Sequence, residues 1–143
     1  MAGYVLLAIL LTTAALGRSH KQAAQSGPSN PGYVTALATA NHFLHAWQTG
    51  SLADGMVLLS DGVRQSRSAD ELEQFFAAAT ERGFEIRTGH GNHGRYSFPV
   101  VLITLEETPV SGSSGAHASC SRKSSEIVLV DTGKNDWVVD KLP

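Results

Sequence analysis

Apolar residues recur along this chain with two periods, and the change from one to the other divides it. Between Tyr33 and Trp47 the positions Tyr33, Ala36, Leu37, Ala40, Phe43, Leu44 and Trp47 share one face of a helix turning about 100° per residue. Asn30-Pro31 supplies the start, with Asn as N-cap and Pro at the first helical position, and Gly50 supplies the stop after about Thr49. His42 and His45 fall on the opposite, solvent face with Ala38. A short second helix follows, capped by Ser51 with Asp54 three residues on. Met56, Leu58 and Leu59 are its apolar contacts, and Asp61-Gly62 is expected to end it. Ser68-Ala69-Asp70-Glu71 is a capping box. It predicts a third helix from Ala69 to about Arg82, with Leu72, Phe75, Phe76 and Ala79 as the buried stripe and Gly83 as the end.

From Phe84 the period becomes two. Phe84–Thr88 is a short strand, and Gly89–Gly94 (GHGNHG) reads as a turn. Arg95–Glu106 is a long strand around the run Val100–Leu105. Pro99 within it lacks an amide proton, which predicts a bulge or an edge position. A Ser/Gly loop is expected over Thr108–Ala116 and a polar edge strand over His117–Ser124. Glu126–Val130 and Trp137–Leu142 are two apolar strands joined by the hairpin signal DTGKND. Trp137 opens the last strand ahead of the apolar Val138 and Val139. It is expected to be a packing residue whose indole N–H reaches solvent or a backbone carbonyl. Helices first and an antiparallel sheet after them define an α+β domain, with N-terminal helices packed on a curved antiparallel sheet.

Residues 1–17 stand apart: they carry no charge, and Tyr4–Leu16 is an unbroken low-polarity run. It has the length of a signal-peptide core and is short of the about 20 residues a membrane span needs. Small residues Ala15 and Gly17 place cleavage before Arg18. The stretch before the run lacks Lys and Arg, so a membrane tether through residues 4–16 is the alternative to cleavage. Residues 18–30 are polar and read as a flexible tether, which leaves 31–143 as the folded domain. The expected location is therefore extracytoplasmic.

Composition narrows the chemistry. Eleven Lys and Arg against 13 Asp and Glu give a net charge of −2, and Arg122, Lys123 and Lys134 make only a sparse basic patch, so nucleic acid is not an expected partner. The single Cys120 rules out an intrachain disulfide and a cysteine zinc cluster. It is expected to pack beside Ala118 as a small apolar side chain. His90 and His93, with His117, form the most metal-like spacing, but no carboxylate lies near them in sequence. His42 and His45 are read as a solvent-exposed pair, and neither a metal nor a cofactor is expected.

The helix ALATANHFLHAWQTG running directly into SLADGMVLLS, and the ending EIVLVDTGKNDWVVDKLP, resemble the nuclear transport factor 2-like superfamily of cone-shaped α+β domains, over roughly residues 31–143. The apolar leader makes the chain similar to its small exported bacterial members. A strongly curved sheet with a helix across its mouth encloses a cavity. Tyr33, Phe43 and Trp47 are the candidate lining from the helix. From the long strand the lining is either Tyr96, Phe98, Val100 and Leu102, or Val101, Ile103 and Leu105. The resemblance implies that enzymes of the family, such as ketosteroid isomerases and polyketide cyclases, hold an Asp or His in the cone beside a Tyr or a second acid. Tyr33, Tyr96 and Asp140 are the weak catalytic candidates that match. No residue of Val100–Leu105 is acidic or a His, which leaves the cone short of an acid–base pair. The leading expectation is an exported, non-catalytic binding or assembly module. Its cone or sheet face would take a small apolar ligand or a protein partner, including a homodimer through the sheet face. A small lyase or isomerase of the ketosteroid-isomerase or polyketide-cyclase type is the alternative.

Overall fold

The computed structural model describes residues 29–77, 81–92, 94–109, 116–134 and 136–143, with backbone alone over 107–109 and 116–118. The expected leader, the tether up to residue 28, Ala79, His93 and most of the Ser/Gly loop lie outside the described residues. The chain runs α1 (Pro31–Thr49), α2 (Leu52–Val57), α3 (Asp61–Ser66), α4 (Ala69–Phe76), β1 (Glu81–Ile86), β2 (His90–Asn92), β3 (Arg95–Pro109), β4 (Ala116–Asp131) and β5 (Trp137–Lys141). The strands form one open antiparallel sheet in the order β1-β3-β4-β5, with β2 pairing the start of β3 beyond the end of β1. The helices pack on one face of it, so the fold is α+β.

α1 begins and ends where its caps place it. Gly32 N donates to Asn30 Oδ1 at 2.9 Å, and Gly50 closes the helix at φ 73°. Its apolar face is buried as the periodicity requires: Tyr33, Ala36, Ala40, Phe43, Leu44 and Trp47 are core, Leu37 packs at the margin, and His42 and His45 are exposed. The capping box of α4 is also present, with Glu71 N donating to Ser68 Oγ and Ser68 N donating to Glu71 Oε2.

Two helix expectations need correction. Asp61-Gly62 does not end a helix; it opens α3. Ser60 is the N-cap and accepts from Val63 N at 3.2 Å, and Val63 is buried. α4 stops at Phe76, well short of Arg82, because Glu81–Ile86 is taken into the sheet by pairing with Val100–Leu105. Arg82 closes the helix from outside. Its Nη1 donates to Phe75 O and Phe76 O at 3.3 Å and to Trp47 O at 3.0 Å, its Nη2 donates to Ala77 O, and the guanidinium lies 4.8 Å from the Trp47 ring. One cation thus meets the negative ends of α1 and α4. α4 in turn seats on α2 at Gly55, where a Cβ would lie 2.1 Å from the Phe76 ring, so only glycine allows this approach.

Corrections in the sheet follow from pairing. The GHGNHG segment is partly strand: β2 pairs His90 with Ser97 and Asn92 with Arg95. The polar edge strand and the apolar strand after it are one continuous element, β4, in register with β3 from Pro109↔Ala116 to Arg95↔Val130. Pro99 causes no bulge against β4. It sits in a central strand at the gap between β1 and β2, where Arg87 N donates to its carbonyl at 2.9 Å. The backbone N and O of one strand residue point to the same side, so the missing N–H faces that gap and not β4. The expected tight hairpin is present, with Thr132 N donating to Asp136 O and Gly133 N to Asp131 Oδ1.

Candidate functional site

Which parity of β3 faces the helices was left open by the sequence. Tyr96, Phe98, Val100 and Leu102 belong to the core, with Ile127, Leu129, Trp137 and Val139 from the neighbouring strands. The five candidate lining residues, Tyr33, Phe43, Trp47, Tyr96 and Phe98, are all buried, none more than 5% exposed. They touch one another or other rings. Tyr33 meets Tyr96 edge-on at 5.5 Å and Phe98 at 5.3 Å, Phe43 meets Phe76 at 5.5 Å, and Trp47 meets Phe75 at 6.4 Å between centroids. Tyr33 Oη is occupied as well: it accepts from Gly89 N at 3.1 Å. Gly89 itself is buried against Phe98, where a Cβ would lie 2.4 Å from the ring. Among the described residues no polar or charged residue is buried. Among the described residues, aromatic and aliphatic side chains pack against one another between helices and sheet.

Asp140 stands elsewhere. Strict alternation along β5 fails at a bulge. Leu129 pairs with Val139 and Val128 with Lys141, leaving Asp140 as the extra residue. Val139 turns into the core, while Asp140 accepts from Ser60 Oγ at 3.2 Å and pairs with Arg95 Nη1 at 3.0 Å, its side chain about a third exposed. Its partners tie α3, β3 and β5 together outside the aromatic core that holds Tyr33 and Tyr96.

The outer face of the sheet carries the polar chemistry. A cleft of about 370 Å³ is lined by His90, Asn92, Arg95, Ser97, Glu126 and Lys141. Ser97 Oγ donates to Glu126 Oε1, and Lys141 Nζ donates to Glu126 Oε2 at 3.2 Å. The Ser97 bond first, then the Lys141 bond, holds the Glu126 carboxyl below its ordinary value. On the same face Arg122 Nη2 meets Glu85 Oε1 at 2.7 Å. Glu85 pairs with Val101 and Arg122 with Ile103 on opposite sides of β3, so this ion pair crosses the central strand, and Val101 beneath it is buried. Leu105, farther along, stays 38% exposed. Sequence reading missed this cleft because its members come from β2, β3, β4 and β5. The one available signal was the run of polar residues at alternate positions.

His90 lines the outer cleft, His93 and the His117 side chain lie outside the described residues, and His42 and His45 line a separate shallow groove with Asp54, whose carboxylate accepts from Ser51 Oγ at 2.6 Å. Among the described residues no group of three His, Cys, Asp or Glu is placed to hold an ion, and no helix is long and apolar enough to cross a membrane. Cys120 is exposed, not packed as expected, because its stretch of β4 lies beyond the reach of β5. Trp137 is buried and packs 5.3 Å from Tyr96, as a core residue should. Its indole N–H, however, is buried and finds no acceptor among the described residues, against the expectation of solvent or a carbonyl. The chain matches no protein-family model and no curated protein.

Proposed function

We propose that the chain is an exported, non-catalytic assembly module of the nuclear transport factor 2-like type, which works through its surface on a protein partner. The observation that carries this is the buried aromatic cluster: of the residues that would line a ligand cone, Tyr33, Tyr96 and Phe98 are in ring contact, Phe43 and Trp47 meet Phe76 and Phe75, and all five are buried. An acid–base enzyme of the cone type needs a carboxylate or His among those residues, beside any Tyr. Asp140, the one acidic candidate, is instead bonded to Arg95 and Ser60. Export rests on the apolar run Tyr4–Leu16 with small residues before Arg18. The surface offered to a partner is the outer sheet face around Ile103 and Leu105, where exposed apolar area adjoins the Glu85–Arg122 pair.

A photo-cross-linking residue at Leu105, with one at exposed Glu73 on α4 as control, tests this in producing cells. The expected result is a discrete protein adduct from position 105 alone, on a chain whose intact mass begins at Arg18. Equal labelling at both positions, or none at 105, contradicts the reading, and full-length chain in the soluble cytoplasm contradicts export.

A further inference from the structure

The two edges of the sheet are finished differently. Along β5 the outer edge is occupied: Ser60 N donates to Val139 O at 2.9 Å and Val139 N donates to Leu58 O at 2.7 Å, so the α2–α3 connection adds itself to the strand. Along β1 no such cover exists among the described residues. The Arg87 amide bonds to Pro99 O, which directs the odd-numbered backbone groups to β3 and those of Arg82, Phe84 and Ile86 outward. One of these is engaged, the Arg82 carbonyl, which accepts from Gln48 Nε2 at 2.9 Å. Behind the edge, Val34, Leu37, Ala38, Asn41, Phe84 and Ile86 line an open groove of about 540 Å³, with Val34 51% exposed. An unpaired strand beside exposed apolar surface is a template for another strand.

We propose that a second copy of the chain takes this place, the two β1 strands pairing antiparallel about a twofold axis at Phe84. Charge makes the strand self-complementary and, among centres on Gly83, Phe84 and Glu85, selects Phe84. A centre on Ile86 would instead set Glu85 against Arg87 and leave Glu81 outside the charge pairing, so the Glu81 variant below separates the two. Glu81, Gly83, Glu85 and Arg87 share the outer face of the strand by alternation. Centred on Phe84, the pairing sets Glu81 opposite Arg87 of the other copy, twice by symmetry, and Glu85 opposite glycine. Centring on Glu85 sets Glu85 against itself, and centring on Gly83 sets Glu81 against Glu85. Both put like charges in direct cross-strand positions. On the inner face the Phe84 rings meet, and the two grooves join into one apolar seam. The twofold makes the contact isologous and closed, so it ends at a dimer. This adds a self-pairing edge to the assembly reading above, beside the sheet face that reading uses, and rests on it.

Light scattering of the purified protein across a concentration series tests the pairing. The expected particle is a dimer that dissociates on dilution. Glu81→Arg or Arg87→Glu alone creates two like-charge contacts and weakens the dimer by about tenfold. E81R/R87E together restores it. Both positions are exposed, so each variant keeps the parent's thermal midpoint. Hydrogen exchange at the Phe84 and Ile86 amides is slow in the parent and the double variant and fast in the single ones. A monomer at every concentration, or a dimer indifferent to both single changes, overturns the proposal. If the protein is monomeric yet the probe at Leu105 still traps a partner, edge pairing alone falls. A monomer with no adduct takes the assembly reading with it.

Discussion

Tyr33 shows how one buried atom decides between a site and a support. Its hydroxyl accepts the Gly89 amide, which fixes the chain where it leaves β1 for β2. Tyr33→Phe keeps the ring contacts and strands that N–H, at a cost of about 1–3 kcal/mol in urea unfolding. Trp137 is the converse, since its N–H has no partner to lose. Trp137→Ala is expected to cost about 3–5 kcal/mol through the lost ring volume, and Trp137→Phe, which preserves the contact with Tyr96, well under half of that. An unchanged thermal midpoint in Trp137→Ala would place the ring on the surface instead. Glu126 supplies a pH signature. Its folded pKa is lowered by Ser97 and Lys141, so its stabilisation is present above the ordinary carboxylate range and lost as pH falls through the lower folded value. Unfolding measured against pH should show the gap between parent and Glu126→Gln open at pH 6 and closing below about pH 4. A gap that widens towards acid would reverse the assignment.

Among the elements, those specified by neighbouring residues were legible and those specified by distant ones were not. Asn30, Pro31 and Gly50 bracket α1, and Ser68 with Glu71 starts α4, because caps act within a few residues. The end of α4 was hidden, because a strand's worth of pairing with Leu102 and its neighbours outweighs the helix propensity of the residues after Phe76. The same holds for the parity of β3 and the bulge at Asp140, which exist only once β4 and α3 are in place. Of the candidate site residues, the helix face was readable from its period. That the rings are buried against one another depends on side chains meeting between helix and sheet. Arg82 is the element-scale test. Its fork serves carbonyls of two helices, so Arg82→Lys, which keeps the charge and loses the fork, should cost about 1–3 kcal/mol and speed hydrogen exchange in the last turn of α4. Equal exchange in the two proteins would show that α4 is held by Phe76 alone.

At the scale of the whole molecule, function turns on whether the space between helices and sheet is packed or receptive. The case for a surface partner depends on its being packed. An NMR titration of the purified protein with a panel of apolar probes, from benzene to a steroid, reads this most directly through the aromatic and methyl resonances of the core. No saturable shift is expected at Tyr33, Phe43, Trp47, Tyr96 or Phe98 with any probe, because each of these rings is buried against another ring. Saturable shifts confined to those residues would contradict it and restore the interior as the binding site.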